Sequence, residues 1–367
     1  MNKIPLVNLG LNYMRLRDEI LSIFDELSKK GAYVLTEEVR RFEKNFAEYC
    51  GTKYAIGVAN GGEALFLSLK ALGVGPGDEV ITVPNTFIAT AWAIIAAGAR
   101  PVFVDVREDF NINPLLIEKA ITSKTKAIIP VHFTGRPAEM DPILDIAKKY
   151  NLHIIEDAAQ AIGAEYKGKR TGTFGVLNCF SLHPLKNLHV HGDGGVITTD
   201  SQEYYELLLK LRNNGLKNRD ECEIWGFNSR LDGIQAAIAD LKLKHIDQWN
   251  RRYIEIAEKY IVELSPLVSV PTQESHIKSV YHRFMIRTER RNALQQFLQE
   301  AHIESKAHYP IPLHLQECAK NLGYKRGSFP VAERLSDTIL SIPLYSELTD
   351  DQANYVIEQI KNFFNNQ

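Results

Sequence analysis

Lys186 is the residue of this chain best placed to act as a nucleophile. It lies in Ser181-Leu182-His183-Pro184-Leu185-Lys186-Asn187, which runs on to Gly192-Asp193-Gly194-Gly195. An apolar run ends just before it, and Pro184 and the glycine-rich turn hem it in. Desolvation and nearby cations lower an amine's pKa and raise its nucleophilicity. Three other places carry chemistry. Asn60-Gly61-Gly62 follows the apolar run YAIGVA and opens a helical pattern. Glycines there let a ligand approach the backbone, and a helix N-terminus offers free N–H groups to an anion such as phosphate; a plain tight turn would look the same. Phe87 ends Pro84-Asn85-Thr86-Phe87, where an aromatic ring lies flat on a planar ligand or packs in a core. Asp157 ends the apolar run LHIIE, with Gln160 one helical step on. A carboxylate at that position is costly to bury unpartnered. It suits a metal ligand, a ribose ligand, a counter-ion to a ring nitrogen, or a cap on a following helix.

The elements that must position these residues follow from hydrophobic period. Residues 12–50 read as helix. Strands are expected at 54–59, EVITV, ARPVFVDV, 126–131 and 152–157, alternating with helices after Gly62, near 88–98, at 114–121 and over DPILDIAKKY. A last sheet section spans 178–182 and 194–200. Strand–helix alternation at this spacing predicts an α/β fold whose mostly parallel sheet is covered on both faces. From about 203 the chain turns helical, with one long run over LDGIQAAIADLKLKHIDQWNRRYIEIAEKYIVEL. VYHRFMIR as strand, RNALQQFLQEAH as helix and a closing helix over 349–364 follow. This divides the chain into a large domain, 1–245, and a smaller C-terminal one, 246–367. Ligands of such sheets sit beyond the carboxyl ends of the strands, where all the residues above fall. A phosphate site, a ring-nitrogen carboxylate, an aromatic stack and a lysine, in this order, are the set that pyridoxal 5′-phosphate requires.

Composition narrows the class. The 367 residues are 45% hydrophobic and 24% charged, which suits a globular protein with a sizeable core. Lys plus Arg is 43 against 45 Asp plus Glu, a net charge of -2, so no bulk attraction to nucleic acid or an anionic membrane is expected. Cys50, Cys179, Cys222 and Cys318 form no CxxC pair, so neither a structural zinc nor any other metal is expected and reduced thiols are. Val80 to Ala99 is uncharged over a membrane-spanning length, but Pro84, Asn85 and Thr86 break it into a strand and a buried helix. The N-terminus shows no signal-peptide pattern, and a cytoplasmic location is expected.

The chain resembles the DegT–StrS family of sugar aminotransferases, pyridoxal-phosphate enzymes of fold type I, the aspartate aminotransferase class. The resemblance covers nearly the whole length and is carried by FEKNFAEYCGTKYAIGVANGG, GVGPGDEVITVPNTFIAT, HFTGRPAEMD, IIEDAAQAIGAEYKGKRTGTFG, SLHPLKNLHVHGDGG, GFNSRLDGIQAAI and HYPIPLHLQ. It implies that Lys186 carries the cofactor as an imine and shuttles the proton. Asp157 pairs with the pyridinium nitrogen, Gln160 contacts the ring hydroxyl and Phe87 stacks on the ring. Gly61, Gly62 and Ser181 cradle the phosphate, and Asn228 reaches the cofactor of a neighbouring subunit, which implies a homodimer with shared sites. Many relatives have Thr or Ser where this chain has Gly62, leaving only the N–H here. Relatives with histidine in place of the lysine are dehydratases, so Lys186 favours transamination. His183, His189 and His191 flank Lys186 and are either packing residues or, for one of them, a substrate contact. His308 and Tyr309 belong to a loop over the site and are candidates for substrate contact. Arg230 meets a nucleotide diphosphate or forms an intersubunit ion pair.

The implied activity moves an amino group from L-glutamate to a nucleotide-linked keto-deoxysugar, with pyridoxamine 5′-phosphate as the intermediate cofactor form. NSRLDGIQAAI followed by KLKHIDQWN leans towards sugar C-3 rather than C-4. The alternatives are a keto-cyclitol aminotransferase, a pyridoxal-dependent sugar dehydratase and a non-catalytic pyridoxal-binding regulator. A dinucleotide-dependent oxidoreductase would need a better glycine fingerprint than Asn60-Gly61-Gly62.

Overall fold

The computed structural model of the protein describes residues 3–31 and 33–365. The helix expected over 12–50 is three helices: α1 (Leu9–Arg15), α2 (Arg17–Lys30) and α3 (Glu37–Cys50). The chain breaks at Leu16 and again at Gly31, whose φ of 64° ends α2 in the left-handed region that glycine adopts without strain. Strands and helices then alternate: β1 (Tyr54–Val58), α4 (Gly61–Ala71), β2 (Glu79–Thr82), α5 (Ile88–Ala96), β3 (Arg100–Phe103), α6 (Pro114–Ala120), β4 (Thr125–Ile128), α7 (Met140–Tyr150) and β5 (His153–Asp157). Short strands β6 (Glu165–Tyr166) and β7 (Lys169–Arg170) precede β8 (Leu177–Ser181) and β9 (Gly195–Thr199). Then come α8 (Gln202–Leu211), α9 (Gly233–Leu243), α10 (Ile246–Leu264), β10 (Ile277–Lys278), β11 (Phe284–Arg287), α11 (Arg291–Glu300), α12 (Pro330–Thr338), β12 (Ile339–Ile342) and α13 (Asp350–Asn365). The long helical run expected over 231–264 is broken at Lys244–His245, between α9 and α10.

Seven strands form the main sheet in the order β1-β9-β8-β5-β4-β2-β3. β9 is antiparallel to both neighbours, and the other pairs are parallel. Side chains alternate between faces, as the two-residue period demands. Ile155, Leu177, Cys179 and Ile197 pack on one face with residues of α4, α5 and α8. Ile154, Phe180 and Val196 point to the other, towards α3, α7 and α9. Both faces are covered, so the strands read as near-continuous apolar runs. The uncharged segment from Val80 to Ala99 is β2, a turn and α5. Among the described residues no helix is long and apolar enough to cross a membrane.

β11 and β12 pair antiparallel, and a second core gathers Tyr260, Phe284, Leu294, Leu340, Val356 and Ile360. Packing crosses the proposed division at 245/246. Ile4 joins this second core, while Leu313, Phe329 and Leu335 join the cluster of Ile81 and Ile128. The sheet of β10, β6 and β7 and the α12–β12 unit are not evident from sequence periodicity. The first has two residues per strand, too few to show a period.

Asp157 is held where β5 ends by an unusual neighbour, Glu156, which points to the opposite face and is fully buried. Its carboxylate accepts hydrogen bonds from the backbone N–H groups of Gly172 (2.9 Å), Phe174 (2.5 Å) and Gly175 (3.1 Å). His132 completes the set at 2.8 Å. Ala138 donates its N–H to His132 Nδ1 at 3.1 Å, so His132 Nε2 carries the proton and donates to Glu156. A buried carboxylate is tolerable only with such a full complement of donors. In Glu156→Gln one oxygen becomes an amide that faces N–H donors. We expect a loss of about 2–4 kcal/mol in urea unfolding; a change below about 0.5 kcal/mol would contradict this account.

Candidate active site

The carboxyl ends of β1, β2, β5 and β8 meet at one edge of the sheet. Gly195 of the reversed strand β9 lies there too, opposite both Val58 and Ser181. A cavity of about 550 Å³ opens at this edge. Lys186, Asp157, Gln160, Phe87, Gly61, Gly62, Ser181, His183, His308 and Tyr309 all line it. All ten are candidates expected from sequence. Asn228 and Arg230 do not line it: Asn228 bridges to Asn213, and Arg230 Nη1 donates to Asn213 Oδ1 at 3.1 Å. Nor do His189 and His191. His189 Nδ1 donates to the Lys186 carbonyl at 3.1 Å, and His191 is tied to Gln235 through its backbone.

The anion-binding corner is built from close approach. Asn60 caps α4, its Oδ1 accepting the Glu63 N–H at 2.9 Å. Among the described residues, the N–H groups of Gly61 and Gly62 have no acceptor, as expected for the first turn of a helix. A Cβ on Gly61 would sit 2.7 Å from Ser181 Cβ and 3.1 Å from its Cα, so only glycine lets α4 abut β8. The Ser181 hydroxyl lies beside this corner and accepts the His183 N–H at 3.3 Å.

Asp157 ends β5 on the α5 side of the sheet. Its Oδ2 accepts from the Thr90 hydroxyl at 2.7 Å and its Oδ1 from the Ala159 N–H at 3.2 Å. Burial raises its pKa, against those two bonds and the charge of Lys186. No helix follows Asp157. Residues 158–164 are turns, so Asp157 caps no helix and Gln160 arrives by a turn. Gln160 Oε1 accepts the Thr134 N–H at 2.8 Å, which leaves its amide NH2 to donate. Phe87 is 53% exposed, with its ring tilted against Tyr309 at 5.8 Å between centroids.

Lys186 sits in the connection from β8 to β9. That loop is fixed by Leu182 N–H to Gly194 O (2.8 Å), Val190 N–H to Leu182 O (2.9 Å) and Lys186 N–H to His183 O (2.8 Å). Asn187 ties it to α10 through Asn250 Oδ1 at 2.8 Å and to the Val280 carbonyl at 3.2 Å. Among the described residues the Lys186 amine has no hydrogen-bond or ion-pair partner. Its pKa is lowered to about 8, first by burial and further by Arg283, with Asp157 opposing. The residue is only half-buried and borders the cavity, which admits water, so the shift carries less free energy than in a sealed core. Lys242 in α9 shows that burial alone does not make a site: its pKa is also lowered, to about 7, but it lies outside the cavity. Burial pushes His308 down to about 3 and Tyr309 up to about 12, so both are neutral near pH 7.

Sequence reasoning does not reach Thr90, Trp92, His282, Arg283 and Lys306, all of which line the cavity. Thr90 meets Asp157 across 67 positions, which no local pattern reveals. Arg283 had a readable signal, a charge inside the apolar run VYHRFMIR. Among the described residues no cluster of three or more His, Cys, Asp or Glu is arranged to hold a metal ion.

A profile of the DegT/DnrJ/EryC1/StrS aminotransferase family matches residues 14–361. The chain is 43% identical to a protein of Geobacillus stearothermophilus named pleiotropic regulatory protein, covering 98% of each. It is 43% identical to dTDP-3-amino-3,6-dideoxy-alpha-D-galactopyranose transaminase of Aneurinibacillus thermoaerophilus, covering 98% of this chain and 99% of that protein. The fold matches a crystal structure of S. venezuelae DesV in complex with a ketimine intermediate, with a TM-score of 0.97 and 41% identity over 100% of this chain and 99% of that one. It also matches NtdA of Bacillus subtilis with bound cofactor PMP, with a TM-score of 0.92 and 30% identity over 99% of this chain and 86% of that one.

The depressed Lys186 pKa has a consequence for stability in the cofactor-free protein. Between about pH 8 and 10.5 the native state has released this proton while the unfolded chain still holds it. The unfolded state then binds more protons, so stability rises with pH over that window. We expect a gain of about 1–2 kcal/mol, allowing for water in the cavity. Lys186→Met should lack this increment when urea midpoints are compared across the window; equal pH dependence in the two proteins would contradict the desolvated amine.

Proposed function

The chain belongs to the DegT/DnrJ/EryC1/StrS aminotransferase family and is a pyridoxal-phosphate-dependent sugar aminotransferase; from that premise we propose that it transfers an amino group from L-glutamate to carbon 3 of a keto-deoxysugar carried on a nucleoside diphosphate. The observation that carries this reading is the Lys186 amine, depressed to about 8, sharing one cavity with the Asp157 carboxylate and a glycine-lined anion corner. The name of the A. thermoaerophilus relative, a 3-amino sugar transaminase, supports the lean to C-3. The product would be an amino sugar for a surface polysaccharide or a glycosylated metabolite.

The residues present fit the cofactor. The free N–H groups of Gly61 and Gly62 and the Ser181 hydroxyl would hold its phosphate, helped by the positive end of α4. Asp157, fixed by Thr90 and Ala159, would hold a proton on the ring nitrogen. Gln160 would donate its free amide to the ring oxygen, and Phe87 would cover one ring face. When bound, pyridoxal phosphate supplies a sink for the electron pair released as a proton leaves carbon next to nitrogen. The protein's part is to orient and to move protons. Lys186, with its pKa lowered to about 8, gives up and regains a proton readily near neutral pH. Neutral His308 and Tyr309 would offer hydrogen bonds to sugar hydroxyls without adding charge. His183, on the same loop as Lys186, would do likewise.

Asn228 and Arg230 stay outside their own chain's cavity. We assign them to the site of a second copy in a homodimer, Asn228 to the cofactor phosphate and Arg230 to the nucleotide diphosphate.

Two measurements test this reading. Wild-type enzyme supplied with glutamate and a panel of nucleotide-linked ketosugars should give, by mass spectrometry, an amino product from 3-keto substrates. Amination of a keto-cyclitol and of no nucleotide sugar would overturn the substrate class. Mixing inactive Lys186→Ala and Asn228→Ala subunits should restore up to about a quarter of wild-type turnover, because half the dimers are hybrids with one intact site each. No recovery despite proven subunit exchange would place Asn228 outside the shared site.

A further inference from the structure

Arg283 immediately precedes β11 and lines the cavity that holds Lys186. It is partly buried, and burial lowers its pKa. Among the described residues no carboxylate lies within 4.0 Å of its guanidinium, and its side chain makes no hydrogen bond. The two arginines buried elsewhere differ: Arg136 pairs with Glu274 and Arg212 with Glu43. An unpaired guanidinium drawn out of water is costly unless a ligand completes it. Its surroundings add to the imbalance. Lys306 lines the same cavity, also with no acidic partner within 4.0 Å. Both cations act on His308, which places them around one side chain. His282 is 6% exposed, and its Nδ1 has no hydrogen-bond partner. Asp157 forms no ion pair with this wall: it lies more than 4.0 Å from the charged groups of Arg283 and Lys306, and its two oxygens accept from Thr90 and Ala159. The glycine corner of α4 serves one anion; the wall of His282, Arg283 and Lys306 is a second place for one, built from a different segment.

We infer that Arg283, supported by Lys306 and His282, binds a carboxylate of the substrate beside Lys186. A planar guanidinium matches a carboxylate in a two-point contact. The carboxylate comes either from the amino-acid donor or from an acidic sugar. The identity of the ligand rests on the aminotransferase reading above; the unpaired cation does not.

The test uses holoenzyme as wild type, Arg283→Gln, Arg283→Lys and Lys306→Gln, each checked for bound-cofactor absorbance and melting temperature. Glutamate alone is added, and the loss of the visible cofactor band gives half-saturation and limiting rate without any sugar. Glutarate, titrated against the same band, reports carboxylate binding without turnover. The reverse half-reaction is run with a neutral and an acidic nucleotide-linked amino sugar, and dTDP binding is measured by calorimetry. Arg283→Gln should raise the half-saturation for glutamate and glutarate roughly 10- to 100-fold. Arg283→Lys should recover part of this, and Lys306→Gln should lose less. An effect confined to the acidic sugar also supports the carboxylate site and assigns it to the sugar. Equal losses for every ligand, an effect on dTDP alone, or no change in any carboxylate half-saturation would overturn it. If Arg283→Gln does not fold, the Lys variant and Lys306→Gln decide by the same criteria. Should wild type bleach with glutamate yet aminate no nucleotide sugar, the proposed function fails while the Arg283 site stands. Wild type inert to both glutamate and glutarate would end the donor assignment.

Discussion

A half-buried primary amine at the wall of a cavity, with no partner among the described residues, is the constraint around which this molecule is arranged. Desolvation weakens the hold of Lys186 on its proton, and burial raises the pKa of Asp157. Their attraction opposes both shifts and loses to burial. The cavity thus keeps Lys186 close to the point of proton exchange. That condition suits acid–base work near neutral pH, and it costs stability that the rest of the fold must offset.

The offset comes from the sheet edge. β9 reverses direction, so its connection from β8 returns over the carboxyl ends of the strands and carries Lys186 with it. Backbone bonds from Leu182, Lys186 and Val190 hold that loop, and Asn187 anchors it to α10 and to the carbonyl of Val280. Asp157 is steadied from two sides, by Thr90 on its own face of the sheet and by the Glu156–His132 network on the other. Helix α4 reaches the same edge only because Gly61 has no side chain to meet Ser181. Position, not residue type alone, makes the chemistry: Lys242 has an amine as strongly depressed and no cavity to serve.

Much of this was legible before the fold was known. Strands β1 to β5, β8 and β9 are long enough to show an apolar run, and Gly61, Phe87, Asp157 and Lys186 each lie at the end of one of them or a few residues beyond. The order of Gly61, Phe87, Asp157 and Lys186 along the chain therefore carried the site. What escaped did so for physical reasons. The turns at 158–164 look helical because Ala158, Ala159 and Ala161 favour helix, yet buried contacts hold them otherwise. The break at Lys244–His245 has no glycine or proline to announce it. Thr90 and Arg283 reach the cavity through tertiary contact, which leaves no local period. Asn228 and Arg230 were legible only as belonging to the family pattern, and a single chain leaves them beside Asn213.

The central claim is that Lys186, and no other amine, bonds to the cofactor's aldehyde. Holoenzyme reduced with borohydride, digested and mapped by mass spectrometry tests this directly. The account predicts a single pyridoxyl tag, on Lys186. A tag on Lys242 or any other lysine instead, or no tag after soaking in excess pyridoxal phosphate, would contradict it.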